Sequence, residues 1–277
     1  MAADTVRGAR KVGRYSLLIF VSVVVLFPIY AVLLQALKSG PDSLDHPRSL
    51  LPVDLTLSTI RAAWTKGDLG HLLINSMFVA VMVTMGVIIT SLLAAYAFAF
   101  LNFPGKKAMF GFYLATMLVP GEVTVVINQR TADSFGWINS YQGLIVPSLA
   151  STFGVFLVRQ VFLQIPRELR EAASLDGVGH ARFLWDVAAP LSRPTLGALG
   201  LFTFLGTWNA YLWPSQVVND TAHRTIQIGL ERLKTGDIDK FNLVTGGLVV
   251  AALPIFVMLV LFQRQLVRGL TAGAVKG

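Results

Sequence analysis

The amino-acid sequence predicts an all-α integral membrane protein with six transmembrane helices. Three observations carry that prediction. Of 277 residues, 54% are hydrophobic and only 14% are charged, against about 25% charged in an ordinary soluble domain. The mean hydropathy is +0.64. The apolar residues also come in runs of about 20, enough to cross a hydrocarbon core of about 30 Å at about 1.5 Å per residue. The composition excludes disorder, and the absence of cysteine excludes a disulfide scaffold or a thiolate metal site.

The first run, Tyr15–Leu37, follows a tail (1–14) carrying Arg7, Arg10, Lys11 and Arg14. It is longer than a signal-peptide core and no small-x-small site closes it, so it reads as an uncleaved helix. Residues 38–71 mix acidic and basic side chains with Pro41, Pro47 and Pro52, and read as solvated extracytoplasmic surface. A core, 72–267, then holds five further spans. They are Leu72–Leu101, Ala108–Ile127, Tyr141–Leu163, Thr195–Trp213 and Leu243–Phe262. Pro120, Gly121 and Pro147 interrupt the third and fourth spans of the chain. Ser215–Lys240 is balanced in charge and reads as solvated surface, and 268–277 forms a C-terminal tail. Gly86 and the pair Gly246-Gly247 read as helix-packing sites, where small residues let backbones approach.

The charge of +8 and a pI near 10 would fit a nucleic-acid binder, but the distribution of charge argues for membrane orientation instead. With the N-terminus cytoplasmic, the inner segments carry 14 Lys and Arg and the outer ones 9. The positive-inside rule selects this topology, with both termini cytoplasmic. The basicity then faces anionic lipid headgroups.

The long inner-facing segment 164–194 differs from the other connections. Pro166 suits a helix start, and Glu168 and Glu171 complement its dipole. Ala172 and Ala173 favour helix with almost no bulk, and Asp176-Gly177 supplies a stop through a left-handed glycine. A second short helix, about Gly179 to Val187, precedes Pro190. The result is an elbow under the bilayer. It serves either as an interfacial helix lying on headgroups or as a docking site for another protein, and the Ala-Ala patch favours docking.

Glu171-Ala172-Ala173, Gly177 four residues beyond Ala173 and Val187-Ala188-Ala189-Pro190 resemble the EAA loop of ABC importer permeases. Val187 and Ala189 replace the commoner Ile and Leu. Asn75-Ser76 resembles the start of the permease core. Gly143-Leu-Ile-Val-Pro147, Gln164-Ile-Pro-Arg-Glu168 and Thr207-Trp-Asn-Ala-Tyr-Leu-Trp-Pro214 resemble the carbohydrate-uptake subfamily, the maltose-type permeases, and the tail Gly269–Gly277 closely resembles the C-terminus of their second permease subunit. Glycerol-3-phosphate-type permeases share most of these features, including Glu122 after Pro120 and the Arg159-Gln160 pair. The resemblance implies a type I ABC importer permease fold and a plasma-membrane location. It implies that Glu168, Glu171, Ala172, Ala173, Asp176, Gly177 and Pro190 couple the chain to an ATPase. The implied partners are a second homologous permease subunit, two ATP-binding subunits holding ATP and Mg, and an extracytoplasmic solute-binding protein. The implied cargo is a sugar or sugar-like solute, with glycerol-3-phosphate or a glycerophosphodiester as the alternative.

The chain carries no phosphate-binding Gly-x-x-x-x-Gly-Lys-[Ser/Thr] string, no metal-ligand spacing among His46, His71, His180 and His223, and no nucleophile–base pair. It is expected to be non-enzymatic and to bind no cofactor itself. An ion-coupled secondary transporter would need mid-membrane ionisable groups and repeats, and apart from Glu122 the spans lack acidic residues. Glu122 and Asn128 lie near the outer end of the third span, either lining a pathway or sitting at the wet interface. Trp208, Asn209 and Tyr211 combine stacking surface with hydrogen-bonding groups suited to a carbohydrate, or else form part of an aromatic belt.

Overall fold

The computed structural model describes residues 2–38, 51, 55–234 and 241–271, and no strand occurs among them. The chain divides into two compact units. The first comprises Met1–Gly70 with Gly229–Leu253 and the second His71–Ile228 with Pro254–Gly277.

In the first unit, helix α1 (Ala2–Leu37) runs unbroken, so the residues expected as a tail are helical from Ala2 onward. Its stretch 15–30 is predominantly apolar around the whole circumference and exposed, as a lipid-facing helix must be, whereas Leu34 and Ala36 near its C-terminal end are buried. Helix α2 (Ser58–Lys66) lies in the segment read as solvated surface. The Thr59 hydroxyl donates to the Lys38 carbonyl at 2.7 Å, tying α2 to the end of α1. A Cβ on Gly246 would lie 3.1 Å from the Thr59 carbonyl oxygen and 3.2 Å from Ala63 Cβ, so this glycine is the close-approach site that the sequence predicts.

The second unit is organised on α3 (Leu69–Phe100). Val79, Val83 and Val87 recur at every fourth position, all buried, and form one apolar stripe. Against this stripe the core gathers Leu144, Val155, Val158, Phe162 and Leu199. Gly86 admits the side chain of Leu149, which is the packing role expected of it.

Among the described residues three helical stretches are long and apolar enough to cross a bilayer: Gly13–Leu37, Leu69–Phe100 and Leu243–Gln263, the last within α14 (Phe241–Thr271). The third and fourth expected spans are broken, as their prolines require. Helix α4 (Lys106–Ala115) and its 3₁₀ extension to Leu118 meet α5 (Gly121–Ser134) at a 100° bend, so Ala108–Ile127 is not one straight helix. Pro120 is extended there and has no N–H to continue the ladder. Helix α6 (Tyr141–Ile145), with its 3₁₀ turn through Pro147, meets α7 (Thr152–Phe162) at 44°. The fifth expected span also differs. Helix α11 (Arg193–Trp208) has 16 residues, about 24 Å at about 1.5 Å per residue, and stops before α12 (Leu212–Val217). The Asn209 amide folds back on the Leu205 carbonyl at 2.9 Å, and Pro214 could not have donated to Ala210 had the helix continued. Segment 215–240, read as solvated surface, contains α13 (Ile226–Lys234), with Ile226, Ile228 and Leu230 buried. The tail resembling maltose-type subunits continues α14 to Thr271, and its last six residues lie outside the described residues.

Candidate functional site

The elbow begins at Pro166, extended, and continues as α8 (Arg167–Leu175) with Glu168 in its first turn. It ends in a complete Schellman cap. Gly177 takes φ +71°, its N–H donates to the Ser174 carbonyl at 3.1 Å, and the Val178 N–H reaches back to the Ala173 carbonyl at 2.8 Å. Ala173 and Val178, the two residues that the cap ties together, both pack against the core. Glu168, Glu171, Ala172 and Asp176 are exposed on the other side. Leu175, at the tip, is 89% exposed.

Beyond the cap, the second arm is shorter than predicted as α-helix. Helix α9 (His180–Phe183) passes into a π-helical stretch, Leu184–Ala188, then α10 (Ala189–Leu191). Pro190 removes one ladder donor, and the widened turn places Phe183, Leu184, Ala188 and Ala189 on the buried side. The Arg182–Asp186 ion pair at 3.2 Å is exposed and adds little.

Two contacts join the elbow to the C-terminal end of α3. The Tyr96 hydroxyl lies 2.9 Å from His180 Nδ1, and the Arg170 guanidinium sits 5.6 Å from the Phe100 ring centroid. The same end of α3 is capped by cations, which suits its dipole. Lys106 donates to the Leu101 and Ala99 carbonyls at 2.8 and 3.2 Å, and Arg159 donates to the Phe98 carbonyl at 3.1 Å while covering the Phe110 ring. A recess of about 570 Å³ is lined by Phe100, Asn102, Arg167, Arg170 and Glu171 among others. Sequence reasoning missed Tyr96, His180 and Leu175. Tyr96 and His180 are 84 positions apart and no local spacing links them; exposure at Leu175 is a tertiary property. Tyr96→Phe keeps the ring and removes the hydrogen bond, worth about 1 kcal/mol. We expect a loss of about threefold to tenfold in solute transported per ATP hydrolysed, measured in reconstituted vesicles, with insertion retained.

The residues expected along the pathway separate into two sets. Glu122 and Asn128 are exposed on α5 beyond the bend, with Asn128 Nδ2 3.5 Å from the Thr124 hydroxyl. Trp208 is 1% exposed and stacks on Phe204, so in this conformation it packs inside the subunit and presents no ring face. Asn209 and Tyr211 are exposed, and Asn209 Oδ1 accepts from Gln227 Nε2 at 3.5 Å. A polar corner adjoins them. Tyr141 donates to Asn75 Oδ1 at 2.8 Å, and Asn75 Nδ2 donates to the Ala222 and Arg224 carbonyls. His223 Nδ1 lies 2.8 Å from Asp220. Burial works to raise the Asp220 carboxyl, but the His223 hydrogen bonds and nearby Arg224 outweigh it and hold it below the usual carboxylate range. Its contribution is therefore present above the ordinary carboxylate pKa and lost as pH falls through the lowered one. Among the described residues no group of three or more His, Cys, Asp or Glu could hold a metal ion.

Residues 86–271, which include the whole elbow, match the family model for binding-protein-dependent transport system inner membrane components. The chain is 36% identical over 273 residues to the sn-glycerol-3-phosphate transport system permease protein UgpE of Agrobacterium fabrum, covering 95% of this chain and 97% of that protein. It is 36% identical over 263 residues to the protein of the same name from Brucella abortus, covering 92% and 93%. It is 33% identical over 262 residues to that from Yersinia pestis, again covering 92% and 93%. A solved bacterial ABC transporter involved in the import of the acidic polysaccharide alginate shares the fold. The TM-score is 0.83 at 21% identity, covering 95% of this chain and 98% of that one. The elbow, the broken helices and these likenesses agree, and the chain belongs to the binding-protein-dependent transport system inner membrane component family, as a membrane-spanning permease of the ABC importer type.

Proposed function

We propose that this chain supplies half of the translocation pathway of an ATP-driven importer for a sugar or sugar-like solute, paired with a second homologous permease. Two ATP-binding subunits, holding ATP and Mg, dock beneath the permease pair, one of them on this elbow, and an extracytoplasmic binding protein delivers the solute. The observation that carries this reading is the Gly177 cap. It holds Glu168, Glu171, Ala172 and Asp176 outward on a short rigid arm, while Ala173 and Val178 anchor that arm to the core. A displacement applied to such an arm reaches α3 through Tyr96–His180 and Arg170–Phe100 rather than dissipating in a linker. The small side chain of Ala172 permits close approach of a partner's backbone, and bare Leu175 supplies apolar surface for it to cover. The charge distribution supports cytoplasmic termini and an inner-membrane location.

Glu122, Asn128, Asn209 and Tyr211 are the pathway candidates, with Trp208 backing Asn209. The curated relatives favour a second reading of the cargo. They are sn-glycerol-3-phosphate permeases by name, and glycerol-3-phosphate or a glycerophosphodiester would use the same architecture. For such a solute, Arg130 is the outer cation, in a recess of about 340 Å³ with Gln129, Asp133, Gln216 and Asn219.

Purification from native membranes is expected to yield a complex with a second permease and two ATPases, and a solitary chain in an active preparation would end this reading. Glu171→Lys reverses an exposed charge at the proposed interface, where charge pairs govern partner fit. ATP hydrolysis by the reconstituted complex should persist while solute stimulation falls about tenfold or more, a change of about 1.4 kcal/mol. Unaltered stimulation would remove Glu171 from the interface.

A further inference from the structure

A small pocket of about 200 Å³ opens beside the outer end of α11, lined by Ser76, Ser148, Gly206, Thr207, Trp213 and Thr225 among others. Its lining contains no charged residue. Thr225 is 5% exposed, and its hydroxyl oxygen is buried with no hydrogen-bond partner. Leaving such a group unmade is costly, so an occupant that the protein does not itself provide is expected there. Ser76, 3% exposed, accepts the Ile226 N–H at 2.7 Å, which uses an acceptor lone pair and leaves its own proton to give. The Trp213 indole N–H is spent on the Gly143 carbonyl at 3.1 Å, so only the ring surface remains to that side chain. A Cβ on Gly206 would meet nothing within 4 Å, so the glycine leaves space that no neighbouring side chain fills.

Hydroxyl donors and acceptors beside an indole ring, with no fixed charge, suit a polyol carbon framework. The volume is below the roughly 300–1,000 Å³ of pockets for drug-sized ligands, which limits the occupant to about one sugar ring or a three-carbon polyol. We propose that this pocket seats the uncharged, hydroxyl-bearing part of the transported solute as it passes Asn209, an assignment that rests on the importer reading above. A phosphate, if the solute carries one, would lie outside the pocket.

The test uses the complete importer in proteoliposomes with labelled maltose and labelled sn-glycerol 3-phosphate as probes. Gly206→Leu should fill the pocket and lower uptake of the transported probe by about tenfold or more, and Thr225→Val should raise KM about fivefold to tenfold, the loss of one hydrogen bond to a hydroxyl. Gly111→Leu, at another glycine whose added Cβ meets nothing within 4 Å, is the control and should transport like the parent. Parental uptake by Gly206→Leu would overturn the proposal. A Thr225→Val variant with unchanged KM would mean that the pocket holds water only, which also overturns it. Transport of neither probe by an assembly that retains its ATPases would overturn the polyol assignment. A chain that copurifies with no ATPase would count against the importer reading instead. The pocket is then judged by equilibrium dialysis of the labelled probes against parent and Gly206→Leu, where equal binding overturns it.

Discussion

Gly177→Val is expected to abolish ATP-coupled uptake while leaving the chain inserted in the membrane. At φ +71° a side chain meets the following carbonyl and costs roughly 1–2 kcal/mol, and a β-branched one fits least well. Relaxing to negative φ would break the bonds from Gly177 to Ser174 and from Val178 to Ala173, each worth about 1 kcal/mol. Either response re-aims Glu171 and Ala172 relative to the second arm. Steric crowding is not the cause, because a Cβ at Gly177 meets nothing within 4 Å. That separation gives a control: Gly177→Asn has a larger side chain than alanine but tolerates the left-handed region, so it should retain most of the uptake. Transport assays and solute-stimulated ATP hydrolysis on the two variants read the difference. Equal loss in both would point to side-chain bulk at the partner interface, and parental uptake in Gly177→Val would remove the elbow from the mechanism.

Gly143→Ala should instead damage folding. A Cβ there would collide with the Trp137 carbonyl oxygen, a backbone atom that cannot rotate away as a side chain can. The Ser140 hydroxyl donates to that same carbonyl at 2.7 Å and accepts the Gly143 N–H at 3.2 Å, while the Gly143 carbonyl accepts the Trp213 indole. One added methyl group therefore strains three linked bonds at the corner that starts α6. Overpacking of this kind costs about 1–3 kcal/mol, and each broken hydrogen bond about 1 more. Against a total stability of about 5–15 kcal/mol, that loss should lower the yield of inserted protein and reduce Tm in detergent by about 5 °C or more. A parental Tm would show that the corner yields more readily than this geometry allows.

Much of the fold can be read directly from residue order. Runs of apolar residues in α1, α3 and α14 need no tertiary partner to announce a bilayer, because the solvent itself selects for them. The bends at Pro120 and Pro147 were legible for a similar reason, since a missing N–H acts on the nearest turn. The interruption of α11 at Trp208 was not legible, since Asn209 had first to fold back on Leu205. Pattern reading also assigned 215–240 to solvent, whereas α13 buries Ile226, Ile228 and Leu230. A short helix with three inward apolar residues carries too little periodic signal to stand out among charged neighbours.

The candidate site divides along the same line. Pro166, Ala172, Ala173 and Gly177 define the elbow by covalent and steric rules that hold in any context, and their spacing sufficed to place its first arm. Trp208 looked like a solute-stacking residue beside Asn209 and Tyr211, and helical geometry turned it inward onto Phe204. Residue order by itself determined a multispan helical membrane chain with a capped elbow, because hydropathy, proline and glycine act locally along the backbone. Only the tertiary structure decided that Tyr96 meets His180, that Gly143 lies against Trp137, and that Thr225 keeps a buried, unpartnered hydroxyl in the lining that it shares with Gly206. The first and third depend on segments far apart in the chain, which helix packing brings together, and the second on the geometry of the turn from Trp137 to Gly143, which no periodicity in the sequence marks.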